Sequence, residues 1–180
     1  ISTHNYNRWK KGISNGSSDQ NAVVNYNYIE IGLDDFSSLS DDDWDTDSYY
    51  GIEAHDSEIK NDSIIIGAVR SCNSSWAIKA NRSTIENNYI QAYMYDNCGD
   101  NYNIVIHSHG QEGNKSIIQN NEIKANGNFG GMSVSYADVL DNTISHHQNN
   151  GGSITRNMHY AIGWGDHNFI KGNNITNLTN

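Results

Sequence analysis

The 180-residue chain has no proline, only two cysteines and three phenylalanines, and just 11 Lys and Arg against 21 Asp and Glu. Without proline there is no stiff proline-rich linker to divide it, and its length suits one domain spanning residues 1–180. Two cysteines allow one bridge at most, so the chain is no disulfide-dense miniature. No apolar run is long enough to span a membrane, and no signal-peptide pattern is read at the start. The net charge of −10 argues against nucleic acid, which selects basic faces. It also counts against a polyanionic ligand, unless a local basic patch or bound cations offset it.

Apolar content is 36% and mean hydropathy is −0.72, values that on their own suggest disorder. Here the apolar residues are β-branched, regularly placed and joined by 10% aromatics, which points to a packed core. Roughly one residue in six is Asn, far above ordinary usage.

Those asparagines belong to a repeat. Six segments align: Val24–Ile29, Ile59–Ile64, Ile85–Ile90, Ile118–Ile123, Val139–Ile144 and Ile170–Ile175. Each begins and ends on an aliphatic residue. The position two before the last is Asn27, Asp62, Asn88, Asn121, Asn142 or Asn173. Such a period is that of a solenoid. The aliphatics point inward from two short strands that meet at a tight corner. The asparagine is expected to adopt the left-handed or bridging backbone of that corner. Stacked coils bring the amides into register, so that each can donate to the next along the axis.

A further strand precedes each corner. Ile52, Ile78 and Met132 lie seven residues before Ile59, Ile85 and Val139, within stretches of two-fold alternation. Asn103–His107 takes the same place in the fourth coil, as do Gly12–Ser14 and Tyr160–Trp164 in the first and last. A third strand follows the corner, as at Ile64–Ile66. The expected fold is all-β: a right-handed single-stranded parallel β-helix with three short strands per coil, about six coils and an Asn ladder at one corner. This architecture resembles the pectate-lyase-like superfamily of β-helices over essentially the whole chain. The resemblance implies activity on polysaccharides, since the superfamily includes lyases, pectin-type hydrolases, uronate epimerases and phage tailspikes. The chain starts at Ile1 rather than Met, and both ends read as open coils. A longer solenoid, or partners such as those of a homotrimer, are therefore expected beyond them.

Two loop features carry candidate chemistry. An acidic insertion occupies residues 32–48, where alternating Asp43, Asp45 and Asp47 resemble the start of a calcium loop, although no glutamate closes it. Ca2+ is the one cofactor such a loop would take; otherwise it is a solvated acidic loop. Cys72 and Cys98 each lie eight residues after the final Ile of a corner, Ile64 and Ile90. Equivalent sites on adjacent coils are within disulfide reach, and a bridge would indicate an oxidising, extracellular location.

Function is expected on the outward face of the first strands. Read by alternation, Glu53, Lys79, Val105 and Ser133 form one axial row, and His55, Asn81, His107 and Ser135 a second. Asp56, Arg82, His109 and Tyr136 stand at the strand ends. Within this stripe, Tyr50-Gly51-Ile52-Glu53-Ala54-His55-Asp56 resembles the Tyr-Gly-x-Asp-Pro-His-Asp/Glu signature of mannuronan C5-epimerases. That resemblance implies Tyr50 and His55 as the acid/base pair at C5 of a uronate, with Glu53 supporting them. Asp56, Lys79, Asn81, Arg82, His107, His109 and Tyr136 would then bind the substrate. Glu53 replaces the family's Asp and Ala54 its Pro. The alternatives are a tailspike-type hydrolase with carboxylates on this face, or a non-catalytic adhesin stacking sugars on Trp44, Trp76 or Trp164.

Overall fold

The computed structural model describes residues 10–14, 21–31, 49–71, 75–97, 103–126, 129–147, 161–163 and 165–178, and none of these is helical. Six coils follow one another, each of three strands. The first holds β1 (Lys10–Ser14), β2 (Val23–Asn25) and β3 (Tyr28–Ile31). The second holds β4 (Tyr49–Glu53), β5 (Glu58–Lys60) and β6 (Ser63–Ser71), and the third β7 (Trp76–Lys79), β8 (Thr84–Glu86) and β9 (Tyr89–Asn97). In the fourth are β10 (Asn103–His109), β11 (Ser116–Gln119) and β12 (Glu122–Asn126). The fifth comprises β13 (Phe129–Ser135), β14 (Ala137–Leu140) and β15 (Thr143–His147). The sixth comprises β16 (Ile162–Gly163), β17 (Phe169–Lys171) and β18 (Asn174–Leu178). Each strand pairs in parallel with its equivalents, giving three six-stranded sheets. The chain is thus a right-handed parallel β-helix.

The repeat forms this fold because its aliphatics land on one another. Val24, Ile59, Ile85, Ile118 and Val139 stack in the second sheet, and Ile29, Ile64, Ile90, Ile123 and Ile144 in the third. All ten are buried, and each such side chain contributes roughly 1.5–3 kcal/mol relative to exposure. Ile52, Ile78, Ile106 and Met132 close the core from the first sheet. In the last coil Ile170 and Ile175, at the same positions, are 51% and 49% exposed.

The corner differs from the sequence expectation in one respect. The ladder residue is not the left-handed one; the residue before it is. Positive φ falls on Tyr26 (57°), Asn61 (55°), Asn87 (56°), Asn120 (54°), Asp141 (52°) and Gly172 (73°). Left-handed backbone there turns the following side chain inward beneath the next coil. Asn88 Nδ2 donates to Asn121 Oδ1 (3.0 Å), Asn121 Nδ2 to Asn142 Oδ1 (2.9 Å) and Asn142 Nδ2 to Asn173 Oδ1 (2.9 Å). Each Oδ1 also accepts the backbone N–H of the ladder residue below it. A buried amide so placed satisfies the corner's polar groups without water.

A second left-handed row marks the corner between first and second sheets, at Asn21, Asp56, Arg82, Tyr136 and His167. There Asn81 Oδ1 accepts the His109 backbone N–H at 3.0 Å, and Ser83 Oγ accepts that of Ser57 at 3.1 Å.

Candidate functional site

The register of the first sheet corrects the axial rows. Glu53 pairs with Lys79, Lys79 with His107, and His107 with Ser133. Val105 is fully buried and leaves the row; His107 takes its place. His109, the last residue of β10, pairs with Ser135 and follows Asn81 above His55, rather than joining the row of Asp56 and Arg82. The slip of two residues has a local cause. In the fourth coil the strand runs on to His109, and a turn at Gln111–Asn114 is inserted before β11. The alternation starts the fourth strand's pattern on Ile104, whereas the register sets Ile106 beside Ile78.

Three coils thus bring the predicted side chains to one face. Tyr50 and Trp76, paired in register, stack with centroids 4.8 Å apart and planes 24° from parallel. Lys79 Nζ lies 5.5 Å from the Tyr50 ring centre and 5.0 Å from that of Trp76. The same ammonium sits 3.5 Å from Glu53 Oε1. His107 tilts against Trp76 at 5.9 Å and against His109 at 4.4 Å. Arg82 grips Asp56 with two bonds, Nε to Oδ1 at 2.7 Å and Nη2 to Oδ2 at 2.6 Å. Tyr136 is set apart from this group and stacks on His167 (4.6 Å, 11°). The alternation reading had no signal for that partner.

The face is electrically balanced: two carboxylates, two cations and neutral imidazoles. Burial lowers the pKa of His55, with Glu53 opposing and Lys79 and Arg82 assisting. Burial, then His109, Lys79 and His55, bring His107 down to about 4. Burial also lowers His109. The Arg82 guanidinium holds the Asp56 carboxyl below its usual range. Near neutral pH all three imidazoles are therefore uncharged.

Their hydrogen bonds separate them. His55 Nδ1 accepts the Asn81 backbone N–H at 3.1 Å, so its own proton rests on Nε2 and the ring is a donor. His107 Nδ1, His109 Nε2 and Trp76 Nε1 are buried and find no partner among the described residues. Tyr50 is 1% exposed, its ring covered by Trp76 and Lys79 rather than open to a groove. A neutral imidazole beside an ammonium on an aromatic pair can accept a proton next to a bound anion.

The acidic insertion with Asp43, Asp45 and Asp47 lies outside the described residues, as do Cys72, Cys98, Trp44 and Trp164. Among the described residues no group of three or more His, Cys, Asp or Glu is arranged to hold a metal. No family model, curated protein or solved structure matches the chain.

Proposed function

We propose that the chain is an extracellular, polysaccharide-active β-helix protein of the pectate-lyase-like kind. In this reading the face of β4, β7 and β10 binds a uronate-containing glycan and removes the proton at C5. One observation carries it: Lys79, set between two stacked aromatics and Glu53, is in register with the neutral imidazole of His107. A sugar ring has apolar faces that suit an aromatic platform, and a uronate adds the carboxylate that an ammonium recognises. Lys79 would exchange Glu53 for that carboxylate and stabilise the enolate that develops on it. His107 takes the C5 proton. In a lyase the freed electron pair forms the C4–C5 double bond, the C4–O4 bond breaks, and the leaving oxygen collects a proton. In an epimerase the proton returns to the opposite face of C5.

The roles differ from those the epimerase signature implies. His55, with Nδ1 engaged and Nε2 protonated, serves as donor rather than base. Tyr50 supports Trp76 and Lys79 from below. Glu53 orients the ammonium until substrate displaces it, and Asp56 holds Arg82 at the rim.

A second reading, glycan binding without turnover, is favoured by a specific observation. Both carboxylates on the face, Glu53 and Asp56, are paired with cations, whereas a hydrolase needs one as a free acid or base. Incubation with alginate and with pectate separates the readings. Ultraviolet absorbance of a 4,5-unsaturated uronate marks a lyase, and solvent deuterium at C5 without cleavage marks an epimerase. New reducing ends without that absorbance mark a hydrolase. Binding on a glycan array with none of these products would overturn the catalytic reading.

A further inference from the structure

Asp62 is the one acid in the corner ladder. In three other rungs the amide nitrogen has two acceptors, the next Oδ1 and an aliphatic carbonyl of the coil below. Asn88 Nδ2 donates to Asn121 Oδ1 and Ile59 O (both 3.0 Å). Asn121 Nδ2 donates to Asn142 Oδ1 (2.9 Å) and Ile85 O (3.0 Å), and Asn142 Nδ2 to Asn173 Oδ1 and Ile118 O (both 2.9 Å). At Asp62 that place belongs to Oδ2. Its counterparts of the repeat's acceptors are Asn88 Oδ1 and the Val24 carbonyl.

Neither acceptor can turn into a donor. Asn88 Oδ1 is fixed toward Asp62 by accepting its backbone N–H at 2.9 Å, while Asn88 Nδ2 is committed to Asn121 and Ile59. A backbone carbonyl has no proton. The other carboxyl oxygen, Asp62 Oδ1, is well served, accepting the Asn27 backbone N–H (2.7 Å) and Nδ2 (2.9 Å). Asp62 is 2% exposed, and its Oδ2 is buried with no partner among the described residues. A carboxylate here would set a charged oxygen against two acceptors with no donor between them.

We propose that Asp62 is a neutral carboxylic acid in the folded protein, its Oδ2–H standing in for the missing amide N–H. The ladder then carries one proton-dependent rung, joining the second coil to the first and third. Losing that proton would loosen the coil that also bears Glu53 and His55.

The electrostatics agree. Burial raises the Asp62 carboxyl above its ordinary value, and the two Asn27 donors pull less strongly the other way. Among the described residues no charged neighbour acts on it. Lys60 on β5 is engaged by Glu58 and Glu86, on β5 and β8. On β3 Tyr28 donates to Glu30, and on β9 Tyr89 donates to Gln91. β2 carries no titratable side chain. Because the folded value lies above the unfolded one, the folded state holds the proton more tightly. The stabilisation is complete below the unfolded value of about 3.9 and is lost as pH rises through the folded value.

The test uses the intact chain with carbon-13-labelled aspartate. Following the carboxyl shifts with pH, Asp62 should ionise later than Asp56, whose carboxyl the Arg82 guanidinium holds down. Ionisation of Asp62 at or below an ordinary aspartate value would overturn the proposal without any variant. Asp62→Asn supplies the second readout, since it restores a permanent N–H. Its melting temperature should match wild type near pH 4 and exceed it by about 2–4 °C at pH 8, the shift of one hydrogen bond in a chain this long. A difference that does not grow with pH, or a variant less stable at every pH, would refute the proton-dependent rung.

Discussion

Replacing Asn121 by Ala tests whether the corner ladder, rather than the aliphatic stacks alone, holds adjacent coils together. The side chain makes four hydrogen bonds in a site 1% exposed. Oδ1 accepts the Asn88 backbone N–H and Nδ2, both at 3.0 Å. Nδ2 donates to Ile85 O at 3.0 Å and to Asn142 Oδ1 at 2.9 Å. At about 1 kcal/mol net for each bond, the loss is about 4 kcal/mol, a large share of the ~5–15 kcal/mol that holds a domain folded. Truncation also strands the Asn88 backbone N–H in the interior, which acts in the same direction. For a chain of this size that corresponds to a melting temperature lower by roughly 8–16 °C. The control is the preceding residue. Asn120 is exposed and left-handed at φ 54°, so Asn120→Gly keeps a backbone that glycine adopts freely and should change stability little. Urea unfolding of wild type and both variants gives the comparison, with slopes checked for a common unfolding transition. If Asn121→Ala moves the midpoint no further than Asn120→Gly, the ladder contributes no net stability, and the reasoning fails.

Further outcomes follow from the same geometry. His107→Ala should reduce turnover on a uronate glycan about a hundredfold or more with the fold intact, while Tyr50→Phe should leave most of it; the opposite order would return the base to the epimerase-like pair. Lys79→Ala should weaken binding of the anionic glycan and also slow its turnover, read as a raised KM together with a lowered kcat, because the same ammonium stabilises the enolate. His107, brought down to about 4, lies below its unfolded value of about 6.5, so its neutral form supports the fold above that value and the support is lost as pH falls toward 4. An imidazole NMR titration should place its midpoint near 4, and a midpoint above 6 would contradict the burial of this ring. Thiol titration of the unfolded, unreduced chain should detect no free thiol; two free thiols would exclude the bridge expected between Cys72 and Cys98. The residues just before those two, Ser71 and Asn97, pair in register.

The fold was legible because its repeat is written in two independent codes. Aliphatics at Ile59 and Ile64, Ile85 and Ile90, or Ile118 and Ile123 bracket four residues, and no amphipathic helix keeps that spacing together with a fixed amide. The amide explains the rest: a buried side chain with one donor group and one acceptor, repeated along an axis, builds a ladder of its own kind. What the pattern could not assign was the division of labour between neighbours. Asn-Asn at 87–88 and 120–121 offers two residues able to take left-handed backbone, and composition does not say which does. The coils with other residues decide it. Tyr26, Asp141 and Gly172 carry positive φ, whereas Asn27, Asn142 and Asn173 stand next in the chain and turn inward. Tyrosine in this conformation is unexpected from propensity, so here the stacking of the coils overrides local preference.

Which side chains share the candidate face was legible in part, and their arrangement was not, for a reason that lies in how a solenoid stores register. Within a coil, a strand and its corner are tied by a few residues. Between coils, counting from the corner finds the facing side chain only if the chain spends the same number of residues reaching each corner. Ile52 to Ile59 and Ile78 to Ile85 keep that count at seven, so Glu53 meets Lys79 and Asp56 meets Arg82, as alternation predicts. The fourth coil needs twelve residues from Ile106 to Ile118, the excess lying in the turn around Gln111–Asn114. Alternation started on Ile104, where the register sets Ile106 beside Ile78, therefore chose Val105, an inward residue, and moved both histidines one place along. The chemistry changes with that shift. His107 comes beside Lys79 and Trp76 instead of above Asn81, and His109 takes the place above Asn81 with its backbone N–H on the Asn81 amide oxygen. A cation, an aromatic pair and a neutral imidazole then share one surface, while His55 is left holding a backbone N–H. Deleting three of the five residues from Gln111 to Lys115 should leave these contacts in place, because β10 and β13 fix His107 and His109 through their own ladder. If the shortened loop abolished binding or turnover while the melting temperature held, the inserted turn itself would belong to the site.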